Sequence, residues 1–297
     1  MASPAMPATF RAYRYTAHGA PATVLQLRSD VPLTLLSASQ VRVKVLSAAL
    51  NPVDPVLVAN YAPSLLSSHP SADKPFGIGF DEYLAVEQEY VTLKPANMSF
   101  DEAASVPLVS LTNYQALVQY AQLQPGERVL VLGGSSATGI FAVQIAKALG
   151  AYVIATTSSR NAEFVNSLGT DQVVDYTQDK WIDVLQPHSV DVLYDCGMEP
   201  QSWNGDAQTV LRKDSGRFVT LLPLTEPIEP TFGAKLIGSI LVYPTATQLR
   251  ELTKLIESGK VNTVIDSVYP FEKVVDAIAK SKTRHARGKL VISIAKG

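Results

Sequence analysis

Residues 128–160 read RVLVLGGSSATGIFAVQIAKALGAYVIATTSSR, and this stretch decides the fold. The apolar run at 129–132, all valine and leucine, reads as a buried strand. A turn of small residues, Gly133-Gly134-Ser135-Ser136-Ala137-Thr138-Gly139, leads into a helix expected over 140–149 and closed by Gly150. A second apolar strand over 152–156 completes a βαβ unit. The spacing Gly134-x-Ser136-x-x-Gly139 keeps the first and third glycines of the dinucleotide fingerprint, with serine in the middle. Small residues there let the backbone approach a pyrophosphate, and free N–H groups at the helix start hold its charge. Taken alone, such a turn occurs in any α/β protein; strand, helix and strand around it make a dinucleotide the expected ligand.

The end of the second strand selects the dinucleotide. An NAD site places Asp or Glu there to bond the ribose 2′-OH. This chain has Thr156-Thr157-Ser158-Ser159-Arg160 instead. Hydroxyls with a guanidinium suit a 2′-phosphate, so NADP(H) is the expected cofactor. The bland alternative is that Ser159 or Asn161 caps the next helix, which is compatible with phosphate binding.

Working outward, the 297 residues allow two domains of ordinary size. Hydrophobic residues make up 46% and charged residues 18%, as expected of a folded globular chain. A net charge of −2 with no basic run argues against nucleic acid or anionic membrane as partners. The single cysteine, Cys196, excludes an internal disulfide framework and any multi-thiolate zinc site. No stretch is long and apolar enough to span a bilayer, and the first residues lack a secretory core; a cytoplasmic location is expected.

Upstream, residues 10–50 read as β structure, with strict alternation at 41–45. Residues 51–55, NPVDP, read as a turn, 62–80 as a loop, and 82–93 as two short strands. Ser99-x-x-Glu102 is a capping-box signature for a helix over 101–106, and a second helix is expected over 111–121. Downstream, strands at 173–174, 190–195, 217–222 and 239–242 alternate with helices at 161–168 and 202–211. Helices at 248–257 and 272–280 and a strand at 289–294 close the chain. The alternation predicts an α/β fold with a doubly wound parallel sheet.

With these stretches in place, the chain resembles a zinc-independent medium-chain dehydrogenase/reductase of the NADPH:quinone oxidoreductase (zeta-crystallin-like) branch. The segments that carry the resemblance are VRVKV at 41–45, NPVD at 51–54, FDEYLAV at 80–86 and SFDEAA at 99–104. The βαβ unit, the strands at 190–195 and 217–222, and HARGKLV at 285–291 continue it in family order. The resemblance implies a Rossmann domain at 109–244 and a GroES-like, mainly β catalytic domain made of 1–108 and 245–297, with the site in the cleft between them. The family carries a longer segment between Tyr61 and Gly79, so about 40 residues, several strands' worth, are expected to be absent here.

The resemblance also implies the site. Asn51 and Thr112 approach the nicotinamide, with Asp54 ordering the Asn51 turn; an ordinary Asn-Pro turn and a helix hydroxyl are the alternatives. Tyr61 is the candidate for a substrate-side hydroxyl. Asn51, Tyr61 and Thr112 form the catalytic set. Ser136, Ala137, Thr138 and Gly139 line the pyrophosphate, and Ser158, Arg160 and Tyr176 surround the 2′-phosphate. Cys196 and Leu222 end strands facing the cofactor, Leu241 and Val242 wall the nicotinamide, and Lys289 reaches the cofactor or is simply solvated. Asn51 stands where zinc-dependent relatives carry a cysteine, and His18, His69, His188 and His285 are scattered, so no metal is expected. An acceptor reduced without a Lewis acid must already be electrophilic, such as a quinone or an α,β-unsaturated carbonyl. The alternatives are an enoyl reductase of a thioester or polyketide, and an NADPH-binding sensor or structural protein with little turnover. A homodimer pairing through 239–242 is also expected.

Overall fold

The structure is a computed structural model that describes residues 6–59 and 76–295. It divides into two compact units: Pro95–Asn97 with Val106–Val264, and Met1–Lys94 with Met98–Ser105 and Ile265–Gly297.

The first unit contains the deciding stretch. Its strands are β1 (Arg128–Leu132), β2 (Tyr152–Thr157), β3 (Gln172–Asp175), β4 (Val192–Asp195), β5 (Arg217–Thr220) and β6 (Lys235–Ser239). All pair in parallel, in the order 6-5-4-1-2-3. The order reverses between β1 and β4, which is the doubly wound arrangement whose ligands bind beyond the carboxyl ends of the strands at that reversal. The near-continuous apolar runs expected of strands covered on both faces are present: Leu130, Leu132, Ile154 and Leu193 are fully buried. Trp203 packs on Phe218 with ring centroids 5.6 Å apart, and its indole N–H donates to Ile228 O at 2.9 Å, so the largest core side chain has its polar atom satisfied.

Helix α1 (Pro107–Tyr114) runs on into a π-helical segment, Gln115–Tyr120, where the sequence predicts one regular helix. Helix α2 (Ala137–Ala148) begins three residues earlier than its pattern suggests. The last strand of the sheet also differs from expectation. It is Lys235–Ser239, and residues 240–242 are not strand.

The second unit is mainly β. Thr9–Tyr15 lies between Gln26–Pro32 and Phe76–Asp81, antiparallel to both. Lys289–Ser293 lies between Ile265–Pro270, parallel, and Ser47–Leu50, antiparallel. Gln40–Lys44 pairs with Tyr83–Glu87. Strand Phe76–Asp81 stands where the sequence suggests loop, and one strand, not two, follows it before a short 3-10 turn at Gln88–Tyr90. The predicted capping box forms: Ser99 N–H donates to Glu102 Oε2 at 2.7 Å and Glu102 N–H to Ser99 Oγ at 3.3 Å, starting helix Phe100–Ala104. Tyr13, Phe80, Phe271 and Ile292 form the core. Among the described residues no helix is long and apolar enough to cross a membrane.

Candidate active site

At the reversal between β1 and β4, the turn after β1 is held by strand β2. Gly133 N–H donates to Thr156 Oγ1 at 2.9 Å and Gly134 N–H to Thr156 O at 2.8 Å. Gly133 has φ +84°, and Gly139 lies so close beneath it that a Cβ there would sit 2.1 Å from Gly133 O. Ser136, at the middle fingerprint position, is the N-cap of α2: its Oγ accepts from Gly139 N–H at 2.9 Å. Ala137, Thr138 and Gly139 are therefore the first helical turn. The Gly139 N–H is occupied, and helix geometry leaves those of Ala137 and Thr138 for an anion.

At the end of β2, Thr157 is fully buried with Oγ1 unpartnered, and Ser158 is half-buried. Asn161 Nδ2 reaches Ser135 Oγ at 3.3 Å and Ser158 Oγ at 3.4 Å, linking the glycine turn to the strand end. Asn161 occupies the N-cap position of the following helix, Ala162–Ser167, but its side chain makes no cap bond there. The Ser159 hydroxyl goes instead to Asp175 Oδ2 and contacts Thr177 Oγ1 at 2.8 Å. These hydroxyls hold the Asp175 carboxyl below its usual range. Arg160 is exposed and makes no ion pair among the described residues. Tyr176 is exposed, and its N–H donates to Thr157 O at 3.0 Å. An exposed guanidinium without an ion pair among the described residues, the half-buried Ser158 hydroxyl and the lack of an acid on β2 itself fit the donor set that a 2′-phosphate needs.

The loops after β4 and β5 share a carboxylate that the sequence reading did not single out. Asp195, fully buried, accepts from Met198 N–H (2.7 Å) and Glu199 N–H (2.9 Å) on Oδ1 and from the Thr220 hydroxyl (2.8 Å) on Oδ2. It thereby fixes the turn carrying Cys196 and, through Thr220 Oγ1, which accepts from Leu222 N–H at 3.1 Å, the turn carrying Leu222. Burial and the neighbouring Asp195 push the Cys196 thiol well up, so it stays protonated. Leu241 and Val242 lie on a loop whose backbone is captured by side chains. Tyr120 Oη donates to Leu241 O at 2.8 Å, and Gln115 bonds both N–H and C=O of Tyr243. Thr112, on α1, donates its hydroxyl to Leu108 O at 2.8 Å.

In the other unit, Asn51 follows strand Ser47–Leu50, and the turn expected at 51–55 opens directly into helix Val53–Val58. Asn51 N–H donates to Asp54 Oδ2 at 2.8 Å and Asp54 N–H returns to Asn51 O at 3.1 Å. Lys289 is not solvated: only 4% exposed, its Nζ donates to Leu50 O at 2.8 Å and Asn51 Oδ1 at 2.5 Å. Asn51 Nδ2 donates to Ala49 O at 3.1 Å. Burial pushes Asp54 up to about 6 against the pull of the Asn51 N–H and Lys289, and pushes Lys289 down to about 8 against the pull of Asp54. The ionised carboxylate is thus penalised above about pH 6 and the ammonium below about pH 8, so this pair weighs against stability most between those values. Tyr61 lies outside the described residues. Among the described residues, no three His, Cys, Asp or Glu side chains are grouped to hold a metal.

The comparisons with known proteins agree with this architecture. Residues 168–292 match a family profile described as zinc-binding dehydrogenase. A 2-methylene-furan-3-one reductase of Solanum lycopersicum is 34% identical over 327 residues, covering 97% of this chain and 80% of that protein. An Arabidopsis thaliana NADPH-dependent alkenal/one oxidoreductase, chloroplastic, is 30% identical, covering 98% of this chain and 81% of its own length. The solved quinone oxidoreductase from Coxiella burnetii superposes with a TM-score of 0.79 at 26% identity, over 97% of this chain and 100% of that one. The 327 aligned positions of the tomato protein exceed the whole length of this chain, 297 residues, so that relative carries residues this chain lacks.

Proposed function

The chain belongs to the quinone and alkenal/one oxidoreductases of the medium-chain dehydrogenase/reductase family, and from that premise we propose that it is an NADPH-dependent reductase of quinones or α,β-unsaturated carbonyls. The observation that carries the reading is the glycine turn at the β1/β4 reversal, joined to a strand end that offers Arg160 and hydroxyls instead of an acid. When bound, NADPH supplies the hydride; everything else is orientation and charge. Ala137 and Thr138 N–H groups hold the pyrophosphate, and Ser158, Arg160 and Tyr176 hold the 2′-phosphate. Thr112, its proton committed to Leu108 O, meets the nicotinamide as an acceptor. Cys196, Leu222, Leu241 and Val242 wall the ring. Negative charge develops on the acceptor oxygen as hydride arrives, and a hydrogen-bond donor there lowers the barrier.

The chemistry at Asn51 supports a metal-free reaction: its amide oxygen already accepts from a buried ammonium, and a divalent cation beside that charge is disfavoured. Among the described residues strand β6 pairs only with β5, and this open edge supports a homodimer formed through Lys235–Ser239 rather than 239–242.

The test is turnover of 9,10-phenanthrenequinone or 1,4-benzoquinone with NADPH, before and after dialysis against a strong chelator. Turnover that survives dialysis is the expected result. Activity lost to the chelator and restored by zinc would remove the metal-free part. NADPH binding without reduction of any acceptor would favour a sensor or structural role, which the relatives' additional residues make the competing reading.

A smaller effect concerns Asp175, whose carboxylate is bonded to Ser159, between Ser158 and Arg160 of the proposed 2′-phosphate corner. Asp175→Asn removes a negative charge from that corner, so NADPH affinity should rise about threefold while NADH affinity stays constant, by nicotinamide fluorescence titration in low salt. Equal changes for both nucleotides would separate Asp175 from the phosphate corner.

A further inference from the structure

Chain neighbours apart, the three heavy atoms nearest to where a Cβ on Gly133 would stand all belong to Met198: Cγ at 2.8 Å, Cε at 3.2 Å and Sδ at 3.6 Å. The thioether therefore lies against the glycine turn, in the space that a side chain at residue 133 would take. Its own turn is anchored. Asp195 Oδ1 accepts from Met198 N–H at 2.7 Å and Glu199 N–H at 2.9 Å, and Glu199 Oε2 accepts from the Trp181 indole at 3.2 Å. Met198 is nevertheless 50% exposed, packed on the glycine turn on one side and open on the other.

We propose that Met198 is a peroxide-sensitive cover of the dinucleotide: the thioether packs on the bound cofactor across the glycine turn, and its oxidation to the sulfoxide loosens that cofactor. This role rests on the reading above that the glycine turn holds the pyrophosphate of NADPH and that quinones are among the acceptors. Hydroquinones, the products of that reaction, are reoxidised by dioxygen with release of hydrogen peroxide. In the step on Met198 a sulfur lone pair attacks one peroxide oxygen, and the S–O bond forms as the O–O bond breaks. The transferred oxygen gives its proton to the departing hydroxide, which leaves as water. Sulfur loses an electron pair and peroxide gains it.

Cys196, just upstream, is a poorer target. It is buried, its thiol is pushed well up, and the thiolate is the reactive form. A thioether reacts without ionising, and its susceptibility follows exposure. The sulfoxide replaces an apolar chain by one with a strong acceptor oxygen and no donor. Cγ, Cε and Sδ already abut the Gly133 backbone, so the oxygen cannot be added on that side. On the open side it faces an anionic pyrophosphate, which an acceptor repels.

The test is hydrogen peroxide treatment of the whole protein. It is read by oxidation of each methionine in peptide mass spectra, and by NADPH affinity in a fluorescence titration after catalase has removed the peroxide. Met6, also exposed, is the internal reference. Saturating NADP+ should slow oxidation of Met198 about tenfold and leave that of Met6 unchanged. Oxidation should raise the dissociation constants of NADPH and NADH alike, by about tenfold, because both carry the pyrophosphate, and methionine sulfoxide reductases should reverse the loss. Met198→Gln, a polar chain of similar length, should reproduce the loss without treatment, and Met198→Leu should have an affinity that peroxide no longer changes. Equal oxidation of Met198 with and without NADP+ in protein that binds NADPH, or full peroxide sensitivity of Met198→Leu, overturns the cover. A loss confined to NADPH also overturns it, because the effect would then lie at the 2′-phosphate. Absence of turnover with every quinone and enone overturns the reaction proposed above; protection of Met198 by NADP+ is read without turnover and still supports the cover.

Discussion

Replacing Gly139 with alanine is expected to abolish NADPH binding, with at least about a 100-fold loss of affinity, and to destabilise the protein by about 3 kcal/mol or more. The added Cβ would lie 2.1 Å from Gly133 O, 2.7 Å from Gly134 Cα and 2.8 Å from Gly133 C. All three are backbone atoms, so no side-chain rotation relieves the overlap. The turn cannot retreat easily either, because Gly133 and Gly134 are both bonded to Thr156 on β2. The remaining response is for α2 to move away from the turn, which breaks the Ser136 cap on Gly139 N–H and disperses the N–H groups of Ala137 and Thr138. Thermal unfolding and NADPH titration by nicotinamide fluorescence measure the two effects separately. A folded Gly139→Ala variant that binds NADPH within tenfold of the wild type would remove the glycine turn from the cofactor site.

The close backbone approach at Gly139 explains both what the sequence revealed and what it concealed. Glycine is a poor helix former, so Ala137, Thr138 and Gly139 read as turn; sterics require glycine there although the backbone is helical. The parallel sheet was legible because strands covered on both faces must be largely apolar, and the interiors of β1, β2 and β4 are. Its last strand was not. Ser239-Ile240-Leu241-Val242 is more apolar and β-branched than Lys235–Ser239, yet Gln115 and Tyr120 capture the backbone at 241 and 243 and β6 takes the ladder. Tertiary hydrogen bonds overrode propensity there. Phe76–Asp81 and Ile265–Pro270 were missed for a related reason: glycines interrupt one, and charge and half-exposure blur the other.

The candidate site divides along the same line. A pairing between neighbours in sequence, Asn51 with Asp54 across a turn, was legible; Ser136 as the cap of α2 was not, because the helix was expected to begin at 140. Lys289 was not, because its partner Asn51 is 238 positions away and nothing local distinguishes a buried lysine from a solvated one. Asp195 escaped notice because an acid ending a strand is ordinarily a surface residue. Only the fold shows its oxygens taking donors from two separate loops.

Arg160→Ala should raise the NADPH dissociation constant about 30- to 100-fold and leave that for NADH within about twofold. The two nucleotides differ only in the 2′-phosphate, so the comparison cancels every contribution from the glycine turn and the nicotinamide walls. Arg160 sits on the 3-10 turn Ser159–Asn161 directly after β2, exposed and without an ion pair among the described residues, so its charge is not committed to a carboxylate. Asp175, bonded to the neighbouring Ser159, is occupied by Ser159 and Thr177. A charge-assisted, bidentate contact of guanidinium with phosphate contributes about 2–3 kcal/mol when water is largely displaced, which is the size of the expected loss. Ionic strength supplies an independent readout: added salt should weaken NADPH binding to the wild type more steeply than to Arg160→Ala, because screening acts on the pair that the variant lacks. Equal losses for NADPH and NADH would mean that Arg160 supports the loop and not the phosphate, and the preference would then rest on Ser158 and Tyr176. Neither side chain carries a positive charge, so a pocket built from them alone would discriminate weakly between the two nucleotides.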